Sequence, residues 1–227
     1  MHLFHSLSRV IPRVALVACL ASTGAINAVA EEPGTGKTAH FEVHYLKMMI
    51  DHHYSALRMT ELAAGTEMEI TAPISPHDRV HPSPEFTATE PHAVLPDIKS
   101  LSRSANRMQR EEILTAQKFL KEWYGQEHEP RLSMQAQKDI AKLDALQGAD
   151  FDKAFLVTFS RHHYQAAESS LQCLVSRDLD HHDLHRYCEN ILNAQVNEID
   201  HMRDLACKHY QLCDTQPHHP KQRKHQR

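Results

Sequence analysis

The chain has 227 residues, a formal net charge of −4, six Gly and twenty His. Without a basic face on the part able to fold it offers no footing for nucleic acid. It shows no Ser-His-Asp or Cys-His arrangement, glycine-rich phosphate loop or HExxH either, so hydrolase and nucleotide chemistry have no foothold.

Residues 1–30 read as an export signal. Arg9 and Arg13 supply charge, Val14 to Val29 is apolar or small apart from Ser22, Thr23 and Asn27, and Ala28-Val29-Ala30 makes a small-x-small cleavage site. A competing reading takes Leu16-Val17-Ala18-Cys19 as a lipid-attachment box with Cys19 as the anchor, although the apolar stretch after Arg13 is short for a lipoprotein. Beyond this segment no apolar run approaches the roughly 20 residues of a spanning helix. The expectation is a periplasmic or secreted protein, or a lipoprotein, whose remaining residues suffice for a real core. Scarce Gly and the usage of Ala, Leu, Gln, Glu and Lys suit helices better than sheet.

The mature part repeats itself. Phe41, Tyr45, His52-His53-Tyr54 and Ala56 recur without gaps as Phe151, Phe155, His162-His163-Tyr164 and Ala166. Gln109, Glu112-Ile113 and Tyr124 recur at the same spacing as Gln195, Glu198-Ile199 and Tyr210. Residues 31–216 therefore read as two helical hairpins, about 40–125 and 150–213.

In chain order, a helix is expected over about His40 to Ala64, with Phe41, Tyr45, Met48, Met49, Ala56 and Met59 as its apolar stripe and Gly65 as its stop. Residues 66–96 hold six of the eleven prolines and form an irregular loop. A second helix follows from about Pro96 to Tyr124, a short one within Ser133 to Leu146, a third long helix from about Asp150 to Val175 and a fourth from about His182 to Tyr210. The basic tail 217–227, with His218, His219 and His225, is too poor in apolar residues to fold. Four long helices that must each bury a stripe imply an all-α four-helix bundle.

Cys173, Cys188, Cys207 and Cys213 are the cysteines of the mature chain, and an even number in an exported protein favours disulfides. If Cys173 faces Cys188 across a tight antiparallel turn, His163 lies level with Glu198 and Phe159 with Met202. Cys207 is then left to pair locally with Cys213, although four cysteines allow three connectivities.

Adjacent histidines on a helix diverge by about 100°. His52 shares the inner stripe with Met48 and Met59 and is expected inside, as is His162 by the repeat. His53 and His163 then flank a seam or reach the partner helix. Glu112 and Glu198 oppose them, and such a polar centre needs pairing or a metal. One reading is a satisfied polar layer in which the carboxylates accept from imidazoles. The other is a metal site, with Met48, Met49 and Met59 as soft ligands beside His52. His181, His182 and His185 form a secondary candidate at the turn into the fourth long helix, where His181 and His185 could bind together. His77, His81 and His92 in the long loop are weaker ones.

Met49-Ile50-Asp51-His52-His53 with Ala56 and Met59, Gln109-x2-Glu112-Ile113 running to Glu122-Trp123-Tyr124-Gly125, and Gly148-x2-Phe151-Asp152-x2-Phe155-Leu156 resemble the bacterial domain of unknown function 305 family of the ferritin-like superfamily. The resemblance spans Phe41 to Tyr210 and implies a ferritin-like four-helix bundle; some members are exported copper-binding or copper-tolerance proteins. The family's helix-2 Met falls on Ala116, while Met202 keeps its counterpart; two further family Met positions are Phe159 and Ser169. The thinner thioether set leaves room for zinc beside copper. Ferritin-like ancestry also raises a di-iron oxidase, since Glu198-x2-His201 has the di-iron spacing. Thr115 stands where the other repeat needs its His, and no symmetrical carboxylate pair appears. The expectation is copper binding without turnover through His52, His53, His162 and His163, with Met48, Met49, Met59 and Met202 as soft partners. Glu112 and Glu198 orient or complete the set, and metal ions and other metal-handling proteins are the partners. A structural or partner-binding bundle without metal is the other alternative.

Overall fold

Five helices account for most of residues 37–66, 86–176 and 179–213, the part described by the computed structural model: α1 (Lys37–Ala64), α2 (Pro96–Tyr124), α3 (Met134–Asp144), α4 (Gly148–Val175) and α5 (His182–Tyr210). No strand occurs among the described residues. The export signal with Cys19, the loop residues His77 and His81, and the tail with His218, His219 and His225 lie outside them.

Local chemistry sets the helix ends. Gly65 stops α1 at φ +85°, and a side chain there would meet the Pro91 ring at 3.0 Å. Pro96 opens α2, where its missing N–H costs nothing, and Gly125 ends it at φ 59°. The Ser133 hydroxyl accepts from the Ala136 N–H at 3.1 Å and caps α3.

α1 and α2 run antiparallel, fixed by His53 beside Glu112 and by the Asn106 amide donating to Thr60 Oγ1 at 2.9 Å. α4 and α5 form the second hairpin, held by His163 opposite Glu198, the Ser160 hydroxyl on Met202 Sδ and the Cys173–Cys188 disulfide. Cys207 bonds Cys213 just past α5. The hairpins meet through α1 and α4, also antiparallel, where Tyr45 Oη lies 2.9 Å from Ser170 Oγ and Ser55 Oγ lies 2.8 Å from His162. Ser55, Ala56 and Ala166 are small enough to let these two helices approach.

A reciprocal pair of buried carboxylates locks the hairpins together. Glu42 on α1 accepts from the Asp180 and His181 N–H groups at the entry to α5, and from Tyr124 at the end of α2. Asp152, its counterpart in the repeat, accepts from the Val94 and Leu95 N–H groups at the entry to α2 and from Tyr210 at the end of α5. Each hairpin therefore supplies the anion that satisfies the orphan donors before the other's second helix.

The apolar interior falls into two clusters. One gathers Tyr45, Leu46, Met49 and Ile50 with Ile113, Leu120, Tyr187 and Ile191. The other gathers Met59 and Leu62 with Ile98, Leu101, Phe151, Phe155, Phe159 and Met202. Along α4 the pair His162-His163 sits between them, while on α1 His52-His53 lies toward the end of the first cluster, ahead of Tyr54 and Leu57; α3 packs across these two helices, with Asp139 on Arg161 at 2.8 Å.

Candidate metal centre

The rings of the two histidine pairs form a chain through the α1/α4 seam. Centroids are 5.8 Å apart from His53 to His52, 3.7 Å from His52 to His162 and 6.0 Å from His162 to His163. The inner pair stacks with planes 29° apart. The outer rings turn to their own hairpin partners. His53 Nε2 lies 2.9 Å from Glu112 Oε2, off the line of a good hydrogen bond, and His163 Nε2 lies 2.5 Å from Glu198 Oε2.

His53 and His163 reach the partner helix as expected, but it is these rings, not His52 and His162, that are the more deeply buried. His53 and His163 are fully buried, whereas His52 is only partly so and His162 is 7% exposed. The divergence of adjacent helical side chains sends one ring of each pair to the seam and the other to the carboxylate across the hairpin. A single cage that closes both imidazole pairs and both glutamates on one ion is not formed. Among the described residues, no three His, Cys, Asp or Glu side chains are disposed to hold a metal.

Hydrogen bonds assign the ring nitrogens. The Ser55 hydroxyl donates to the His52 carbonyl at 2.7 Å, so its oxygen accepts from His162 Nε2–H at 2.8 Å. His162 Nδ1 is left with a lone pair and no hydrogen-bond partner. In His163, Nδ1–H donates to the Phe159 carbonyl at 2.9 Å and Nε2–H donates to Glu198 Oε2 at 2.5 Å. Neither ring nitrogen of His52 makes a hydrogen bond of good geometry, although Gln165 and the His162 backbone lie near enough to favour its charged form. Burial outweighs them, and with the neighbouring His53 and His163 it pushes His52 down to about 3. Burial, then His52, holds His162 well below the ordinary histidine range. Both inner rings are therefore neutral near pH 7, with lone pairs that protons do not occupy. Buried polar atoms are nearly always satisfied, and among the exceptions here both ring nitrogens of His52 and Nδ1 of His162 share one layer at the α1/α4 seam.

A cavity of about 480 Å³ opens onto this layer between α1, α3 and α4, lined by His52, His162, Met48, Met59, His44 and Asp51 among others. Two thioethers thus share the space with the two neutral imidazoles, a donor set that suits a soft metal ion. The remaining sulfurs are elsewhere. Met49 belongs to the first apolar cluster and Met202 to the second, where its sulfur accepts from Ser160 at 3.7 Å. His201 is exposed on α5.

The expected pairing of His181 with His185 is not formed. α5 begins at His182, so His181 lies outside the helix and the spacing of helical neighbours does not apply to it. Its Nδ1 instead meets Glu42 at 2.7 Å, and its ring lies flat on Trp123 at 4.0 Å. His182 and His185 remain neighbours, with ring centroids 6.2 Å apart. His92 is buried against Phe151.

Several residues went unread in the sequence. His44 stands one helical turn before Met48 and two before His52, a row that periodicity alone reveals. Glu42 and Asp152 recur in the repeat directly after Phe41 and Phe151. Ser55 carries no such signal, because its role depends on the approach of α4.

A family model described as "Domain of unknown function (DUF305)" matches residues 87–206, just over half of the 227-residue chain. The chain belongs to the DUF305 family. The match starts after α1, so the His52-His53 pair lies outside the matched stretch and His162-His163 inside it. Solved structures similar to this DUF305 chain include "CopM in the Cu(I)-bound form", with a TM-score of 0.54 at 20% identity over 74% of this chain and 97% of that one. "CopM in the Cu(II)-bound form" gives 0.55 at 19% identity over 74% and 97%. A DUF305 fragment from Deinococcus radiodurans gives 0.53 at 21% identity over 74% and 96%. At these identities the likeness is one of fold. No curated protein sequence matches this DUF305 chain significantly. No helix among the described residues is long and apolar enough to cross a membrane.

Proposed function

We propose that this chain is an exported copper-binding protein that sequesters or hands over the ion without turnover. We read its four long helices as a ferritin-like bundle and residues 1–30 as the signal that takes it to the periplasm or beyond, with lipidation at Cys19 as the alternative anchor. His52 and His162 are the imidazole ligands, Met48 and Met59 the thioether ligands, and His44 a capture ligand at the cavity rim. Glu112 and Glu198 hold the outer rings His53 and His163, the supporting role expected behind metal-binding histidines.

The observation that carries this reading is the pair of neutral, stacked imidazoles, each with an unpartnered nitrogen, in the wall of a cavity that two methionines also line. Soft sulfur ligands select Cu(I), while imidazole serves either copper state. The similar fold of proteins solved with Cu(I), Cu(II) and Ag supports it. Titration of the mature protein with Cu(I), Cu(II) and Zn(II), repeated on His52→Ala and His162→Ala, tests it. Loss of the tightest Cu(I) site in both variants is expected, and unchanged stoichiometry and affinity would sink the reading.

One observation favours a purely structural role for the outer rings, since His163 is satisfied on both nitrogens by Phe159 and Glu198. On that reading His53 and His163 fix helix register, and the inner pair alone takes metal.

A further inference from the structure

The solvent-facing line of α4 is apolar, where a surface helix ordinarily turns its polar residues. Val157, Tyr164, Leu171 and Val175 are 46%, 45%, 51% and 68% exposed. Spacings of seven, seven and four residues put them on one stripe, about 27 Å from end to end. Isolated exposed apolar residues are normal; here four recur along one line, with Arg161 and Glu168 set between them. The opposite side of α4 carries Phe155, Phe159, Ala166 and Cys173, all fully buried, so the row is separate from the histidine layer.

Read outward from Tyr164, the stripe is the same in both directions. Val157 and Leu171 stand seven residues to either side, Arg161 and Glu168 three before and four after, Ala154 and Val175 ten before and eleven after. We infer that this face docks onto the same face of a second copy of the chain, the two α4 helices lying antiparallel about a two-fold axis at Tyr164. In that register Val157 meets the partner's Leu171, Ala154 meets the partner's Val175, and the two Tyr164 rings meet at the axis. Arg161 meets the partner's Glu168 twice over. A parallel pairing would set arginine on arginine and glutamate on glutamate, so the charges reject it. An isologous contact requires a patch complementary to itself, and this stripe has that order in both shape and charge. One Arg161 nitrogen already holds Asp139 at 2.8 Å, and the five donors of a guanidinium leave room for a second carboxylate.

A single helix pair buries less than the roughly 800 Å² per partner of a standard interface, so the dimer dissociates on dilution. Sedimentation velocity of the mature chain across a hundredfold concentration range should show monomer passing to dimer. Leu171→Glu should weaken association at least tenfold, and so should Glu168→Arg. Mixing Glu168→Arg chains with Arg161→Glu chains should restore it through the crossed pairing. Tyr164→Cys, which places a thiol on the axis, should oxidise to a covalent dimer. Leu171→Cys should not, because two such residues stand about 21 Å apart across the axis. A monomer at every concentration overturns the inference, whether the stripe proves bare or covered by another part of the chain. A dimer indifferent to Leu171→Glu, or one in which Leu171→Cys links as readily as Tyr164→Cys, also overturns it. Copper titration of the Leu171, Tyr164 and Glu168 variants keeps this result separate from the metal-binding reading, since none of these side chains lines the cavity.

Discussion

His52 and His162 stack face to face at 3.7 Å across the α1/α4 seam, each the first member of a histidine pair and each the image of the other in the repeat. Two imidazolium ions could not share that contact, so the fold holds both rings neutral and leaves nitrogen lone pairs in its interior.

This neutrality makes the metal-free protein acid-sensitive. The folded-state values of His52, about 3, and of His162 lie below the ordinary 6.5 of an unfolded histidine. Their stabilising contribution is complete above that ordinary value and is lost as pH falls toward the folded-state ones. Thermal melting should show Tm falling from about pH 6.5 downward, with a shallower slope in the double variant His52→Gln/His162→Gln. Equal slopes would show that the inner pair does not carry the effect.

The methionines should divide by location. Met48→Leu and Met59→Leu remove thioethers from the cavity and should weaken Cu(I) binding by about tenfold or more, about 1.4 kcal/mol. Met49→Leu and Met202→Leu, deep in the two apolar clusters, should leave affinity alone and cost less than about 1.5 kcal/mol in stability. Competition with a chromogenic Cu(I) chelator measures the first effect and urea unfolding the second.

Glu198→Gln should act at a distance from the ion. Loss of the carboxylate frees the His163 ring, and supporting partners of this kind are worth about 10–100-fold in metal affinity. Isothermal titration on this variant and on Glu112→Gln would read the two repeats separately, with the larger loss expected for Glu198, whose contact at 2.5 Å is the tighter.

The reciprocal carboxylates should prove the most costly acidic residues in the chain. Glu42→Ala and Asp152→Ala each strand buried backbone donors and a tyrosine hydroxyl, at about 1–3 kcal/mol per unsatisfied group. A surface carboxylate such as Glu189, exposed on α5, should cost within about 0.5 kcal/mol. Urea midpoints of the three alanine variants give the comparison directly.

Reduction should act mainly through the Cys173–Cys188 bond, which closes a loop of 15 residues in a fully buried position. Cys173→Ala/Cys188→Ala should lower stability by about 3 kcal/mol, and the shorter Cys207–Cys213 loop should matter less.

Much of this was legible before any coordinates. Helix boundaries follow from Gly65, Pro96 and Gly125, and a bridge from Cys173 to Cys188 sets His163 level with Glu198, because periodicity and antiparallel register are one-dimensional properties. What each ring points at was not. His52 and His53 differ in sequence only by order, and the approach of α4 decides which ring meets His162 and which is sealed against Glu112. The same approach gives Ser55 its acceptor role and brings Met48 and Met59, but not Met49 or Met202, to the cavity. Secondary structure and pairing are written in local spacing. The identity of the donors that share one space depends on the rotation and separation of helices distant in the chain, which only packing determines.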